Sequence, residues 1–123
     1  MSKPEIMMID DVKYIREDAV RSEPAEKLDG MPYMMVRTYS AGVFAGYVKE
    51  RKGEEATLLK ARRIWYWDGA SSLSQLAMEG TKKPDVCKFP CEVDKIILTN
   101  VVELIDITAK AKESIDGVKI WEQ

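Results

Sequence analysis

The chain has 123 residues, of which 46% are hydrophobic and 33% charged, with a net charge of −2 and no histidine. This length fits one compact core and not two, and the composition belongs to a folding globular chain, not to a disordered or collagen-like one. The missing histidine takes away the commonest general base near neutral pH and the commonest metal ligand, which weakens most hydrolase and metalloenzyme readings.

Residues 1–32 read as an amino-terminal attachment. MMI (7–9) and VKYI (12–15) flank Asp10-Asp11 as a short hairpin, REDAVRSE offers one or two helical turns, and PAEKLDGMP (24–32) has the Pro and Asp-Gly content of a connector. Residues 33–123 then form the β-rich domain expected to bind a ligand. YMMVRTY (33–39) and VFAGYVKE (43–50) make a hairpin about Ser40-Ala41-Gly42. ATLLK (56–60) and ARRIWYWDG (61–69) continue an antiparallel meander. Ser71 or Ser72 caps a helix over 72–79 that Gly80 ends, and residues 80–91 form a loop. EVDKIILTNVVELIDIT (92–108) gives one long strand or a pair with a bulge near Asn100. Thr108 starts a helix to 115, and Val118–Trp121 adds an edge strand. The expected fold is α+β, a mostly antiparallel meander with two or three short helices. Three tryptophans, seven methionines and exposed strand edges predict a homo-oligomer.

Charge is uneven along the chain. Residues 1–32 hold five Lys/Arg and eight Asp/Glu (−3), residues 33–67 seven and three (+4), residues 68–91 three and three, and residues 92–123 four and seven (−3). A basic middle in an acidic chain suits a local anionic ligand better than a nucleic-acid backbone. No run approaches the ~20 apolar residues of a membrane span, and the amino terminus lacks a secretory core, so the expected location is the cytoplasm. Cys87 and Cys91 have no further ligands to complete a zinc site and read as free thiols. Met7-Met8 and Met34-Met35 read as core filler and Lys82-Lys83 as solvated charge. No carboxylate pair sits in a catalytic motif, and no cofactor motif is present.

The densest chemistry lies at Ala61–Gly69. On a strand Arg63, Trp65 and Trp67 share one face, and Arg62, Ile64 and Tyr66 the other. Guanidinium groups pair with phosphate and aromatic rings stack on bases; the competing assignment is tryptophans in the core and arginines as surface ions. The turn RTYSAGVFAGY (37–47) adds Arg37, Thr38, Ser40 and Gly42, a phosphate-compatible set that is equally an ordinary hairpin turn.

Taken in order, VRTYSAGVFAGYV, ARRIWYWDGASSLSQLAMEG and CEVDKIILTNVVELIDITAKAK resemble a family of small phage and prophage proteins that includes the Thoeris anti-defence sponges, over about residues 35–115. The resemblance implies a non-catalytic protein of the infected bacterial cytoplasm that sequesters a cyclic ADP-ribose isomer made by TIR enzymes. It also implies cyclic oligonucleotides as further ligands of some members, and a homo-oligomer, dimer up to hexamer, with pockets between protomers. The ligand-binding residues it implies are Arg37, Thr38, Ser40, Gly42, Phe44, Arg62, Arg63, Trp65 and Trp67. Two other classes stand beside it. One is a cyclic-oligonucleotide sponge. The other is a non-enzymatic phage accessory or interaction protein. A nucleic-acid-binding strand is disfavoured by the negative net charge.

Overall fold

A computed structural model describes residues 23–122. The expected hairpin at 7–15 and the helical turns that follow it lie outside the described residues. Among the described residues there are five strands and two α-helices: β1 Tyr33–Thr38, β2 Val43–Lys52, β3 Glu55–Arg63, α1 Leu73–Glu79, β4 Glu92–Leu98, β5 Val101–Asp106 and α2 Ala109–Asp116. The α+β class and the antiparallel meander are as expected. All neighbouring strands are antiparallel, in the order β4-β3-β2-β1-β5.

That order forces the sheet to curl. β4 and β5 form opposite edges, yet only Thr99 and Asn100 separate them. The step from Leu98 to Val101 spans at most about 11 Å, whereas the outer strands of a flat five-stranded sheet lie about 19 Å apart. The sheet therefore rolls into an open barrel. Register shifts at Ala45/Tyr47 and Val48/Glu50 in the β2–β3 pairing, and at Arg37/Thr38 in the β1–β5 pairing, supply the extra twist. The concave side holds Val36, Phe44, Ala56, Leu58, Ala61, Leu98 and Val101. The convex side carries Met35, Val43 and Ala45, which pack against Leu76 and Ala77 of α1 and Ala111 and Ile115 of α2.

Both helices begin where their cap residues stand. Ser72 accepts from the Gln75 amide at 3.1 Å, and Thr108 accepts from the Ala111 amide at 3.0 Å while donating its hydroxyl to the Met78 carbonyl at 2.7 Å. Gly80 ends α1 at φ +81, and a Cβ there would collide with the Ser114 side chain.

Two expectations are corrected and one is narrowed. Residues 56–60 and 61–63 are one strand, and the chain leaves the sheet after Arg63. Ile64 is buried, and Tyr66 keeps only an isolated bridge to Lys88. Of the two alternatives for residues 92–108, the pair of strands is the one formed, placed on opposite edges of the sheet. The segment 118–121 makes no edge strand; it is held by the buried Val118, the Arg62 bond to its carbonyl and an isolated bridge between Phe89 and Ile120.

Arg62 fastens these later segments to the sheet. Its Nε donates to the Pro90 carbonyl at 2.9 Å, Nη1 to Ile115 at 3.0 Å, and Nη2 to Phe89 at 3.0 Å and Val118 at 2.8 Å. Its guanidinium also lies 5.4 Å from the Phe89 ring centroid. Arg62→Met keeps an apolar stem but leaves the Pro90 and Val118 carbonyls without donors, while those of Phe89 and Ile115 keep the Trp121 and Val118 amides. At about 1–3 kcal/mol for each of these two orphaned groups, the expected loss is at least about 2 kcal/mol, a fall in melting temperature of more than about 8 °C. Arg62→Lys recovers little of it, because one ammonium cannot reproduce the planar fork. Calorimetric melting of both variants checks this, and a Met variant melting within a few degrees of the parent refutes it.

Candidate functional site

The residues expected to hold a ligand do not converge within one chain. Arg37 is exposed, and its Nε donates to the Glu103 carboxylate at 2.7 Å. Thr38 is buried. Its hydroxyl donates to the Gly42 carbonyl at 2.8 Å and accepts from the Ala41 amide at 2.9 Å, which closes the β1–β2 turn. Ser40 is exposed in that turn, and Gly42 adopts φ +95 there. Phe44 is packed inside the curled sheet, with the Arg63 guanidinium 4.7 Å from its ring centroid. Arg37 pairs with Val43 and Arg63 with Phe44, so these two arginines project from opposite faces. Four of the five N–H donors of Arg62 are engaged by backbone carbonyls. Trp67 packs against the convex-side core, whereas Trp65 is 61% exposed.

Two other features carry more local organisation. The first is a surface where the 64–69 segment meets the 84–90 loop. The Trp65 and Tyr66 amides both donate to the Lys88 carbonyl, at 3.1 and 3.2 Å, and the Lys88 amide donates to the Tyr66 carbonyl at 2.8 Å. The Lys88 ammonium then lies 5.9 Å from the Tyr66 ring centroid and 5.6 Å from that of Trp121. Trp65, Tyr66, Val86 and Ile120 are all exposed around it.

The second is a cleft of about 370 Å³ beside the convex face, walled by Tyr33, Tyr47, Lys60, Lys112, Asp116 and Glu92, with Arg62, Val118 and Ile120 completing it. Antiparallel register puts Tyr33 directly opposite Tyr47, and their rings meet edge to face with centroids 5.0 Å apart. Lys112, from α2, places its ammonium 4.8 Å from the Tyr33 ring centroid, 5.9 Å from that of Tyr47 and 2.6 Å from an Asp116 oxygen. Tyr33 and Tyr47 follow from a hairpin register centred on Ser40; nothing in the sequence marks Lys60 or Lys112. A comparable cleft of about 380 Å³ between α1 and α2 sets Lys82 and Lys110 against Glu79 and Glu113, with no buried charge among them.

The electrostatics of the first cleft follow from burial. Desolvation pushes the Tyr33 phenol well above the usual range, helped by Asp116, Tyr47 and Glu92 and opposed by Arg62. Desolvation lowers the Arg62 pKa against the opposing pull of Tyr33, Asp116 and Glu92. For Lys112 burial also acts downward, but the hydrogen bond and charge of Asp116, together with Tyr47, outweigh it and the net shift is upward.

Curled antiparallel sheet, two-helix layer and cationic cleft together define a small α+β domain. The chain belongs to the family described as domain of unknown function DUF6948, whose model matches residues 31–115. That match spans all five strands and nearly all of α2. No curated protein and no solved structure matches the chain. Among the described residues no group of three or more His, Cys, Asp or Glu is placed to hold a metal ion, and no helix is long and apolar enough to cross a membrane. Cys87 is buried and Cys91 exposed, and both are free.

The raised Tyr33 pKa fixes the sign of the alkaline response. The folded state retains the phenolic proton at pH values where the unfolded chain, titrating near 10, has released it. The resulting contribution is complete below pH ~10 and is lost as pH climbs above it. Lys112, also raised, acts in the same direction. Chemical denaturation across that range should show stability falling above pH ~10, with a shallower fall for Tyr33→Phe; equal slopes for the two proteins would contradict the burial of this phenol.

Proposed function

We propose that this protein is a non-enzymatic accessory protein that docks another protein through its Trp65–Tyr66–Lys88–Trp121 surface. The observation that carries this reading is the exposed Trp65, 61% accessible and held in place by its backbone bond to Lys88 instead of being folded into the core. Tryptophan and tyrosine anchors on a rigid backbone are the usual centres of binding energy in protein interfaces, and a lysine set between two rings favours a partner that brings carboxylates beside its apolar groups. The reading extends to self-association. β4 is an edge strand with Val93 and Ile97 exposed at 42% and 53%, which suits pairing with a second copy. Two free thiols fit a reducing cytoplasm as the place of action.

The test compares the parent with Trp65→Ala as baits in infected and uninfected bacterial extracts. The parent should retain a discrete protein, identifiable by mass spectrometry, and should bind the purified partner at least about 30-fold more tightly than Trp65→Ala, the ratio expected of an interface anchor. The melting temperatures of the two baits should agree. Light scattering on the same samples should give a mass above the 14.0 kDa of one chain. Retention independent of Trp65 overturns the docking surface. Capture and heat release of an intact cyclic ADP-ribose isomer or cyclic oligonucleotide, with no protein retained, replaces this reading with signal sequestration.

A further inference from the structure

Lys60 has a backbone conformation that its side chain disfavours. Tyr47 pairs with Leu59 and Ala45 with Arg62, so Gly46 faces two residues of β3, Lys60 and Ala61. This is a bulge, and Lys60 sits at its first position with φ +51. Glycine is the usual residue there, because any Cβ in the left-handed region meets the following carbonyl. Gly46 itself is needed across the pair, since a Cβ on it would lie 3.0 Å from the Ala61 Cα. The backbone therefore explains a bulge at position 60 but not a lysine, and the explanation has to come from the ammonium.

That ammonium belongs to the tyrosine-lined cleft. The floor of the cleft is Arg62, 8% exposed, whose hydrogen-bond partners are neutral carbonyls and which forms no ion pair among the described residues. Asp116 and Glu92 act on that charge only from a distance, and with Lys60, Arg62 and Lys112 lining the cleft against these two carboxylates the cavity keeps a net positive potential. Lys112 reaches in from α2 with Asp116 already bound to it, and Glu92 stands on the β4 side. Tyr33 lines the cleft and is 6% exposed, its ring held edge to face against Tyr47. Donors thus come from three elements: a phenol from β1, one ammonium from the β3 bulge and another from α2.

We propose that this cleft binds the phosphoryl group of a small molecule, with Lys60 and Lys112 as its cationic contacts and Tyr33 as a neutral donor. A tetrahedral oxyanion offers acceptor oxygens in several directions and so matches donors that converge from separate walls, whereas a planar carboxylate offers two oxygens in one plane. The site borders the docking surface at Ile120, but its proposed contacts are other residues and it does not depend on docking through Trp65.

Titration with inorganic phosphate, followed by calorimetry and by amide shifts of Tyr47 and Lys60, tests the proposal on the full chain. Binding should saturate and exceed that of acetate at matched ionic strength. Lys60→Gly is the informative variant because the two roles of residue 60 oppose each other. Removing the side chain relieves the left-handed backbone, so the phosphate-free melting temperature should rise by a few degrees, while phosphate affinity should fall at least tenfold. Parent-like phosphate affinity in Lys60→Gly, acetate binding as strong as phosphate, or a response that does not saturate would each overturn the assignment.

Discussion

A guanidinium that reaches two separate parts of the backbone sets the arrangement of this domain. Arg62 lies at the end of β3, and its donors bind the Phe89–Pro90 loop on one side and the α2 terminus and Val118 on the other. Without it, the loop and the carboxyl-terminal segment would touch the sheet through van der Waals packing, the two isolated bridges joining the loop only to Tyr66 and to Ile120. A buried arginine requires every donor and acceptor around it to find its place together, which ties the closure of the loop to the docking of α2. Arg62 is available for this task because of the bulge at Lys60. Ala56 and Leu58 face the concave side by ordinary alternation, and Ala61 faces it too. One extra residue has reversed the parity, turning Arg62 outward beneath the helices.

The second constraint is the link at Thr99-Asn100. Because it joins the two outermost strands, each strand of the sheet has a concave and a convex face, and the two sides fill with different residues. The concave side takes aliphatic residues and Phe44. The convex side takes small residues such as Ala45, opposite helices that bring Leu76 and Ile115. α1 and α2 cover β1 and β2, so the outer face of β3 and β4 is left with Leu59 half-buried and Val93 and Ile97 exposed.

Local chemistry made much of this legible in the sequence. Ser72, Gly80 and Thr108 mark helix ends because a side-chain oxygen or a left-handed glycine meets orphaned backbone groups within a few residues, and no distant contact is involved. The β1–β2 hairpin follows for the same reason. What was not legible depends on contacts far along the chain. The aromatic run Trp65–Trp67 has high strand propensity, but the backbone partner of Trp65 and Tyr66 is Lys88, over twenty residues later, and that contact draws the segment off the sheet. A two-residue link such as Thr99-Asn100 normally signals a hairpin or a bulge, and only the full strand order shows it crossing between edges.

The dispersal of the site residues has the same origin. Arg62, Arg63, Trp65 and Trp67 fall within six consecutive positions, and periodicity alone divides them between two faces. The structure separates them further, into an interior clamp, a cation over Phe44, an exposed anchor and a partly buried core residue. A strand holds neighbouring side chains in register only while its ladder continues, and here the ladder ends between Arg63 and Ile64. In contrast, Tyr33, Tyr47, Lys60 and Lys112 are scattered over 80 positions but are assembled by pairing, a bulge and one helix. Because a bulge position occupied by lysine and not by glycine exchanges backbone ease for a side-chain charge, residue 60 is the point at which folding and binding make opposite demands on this chain.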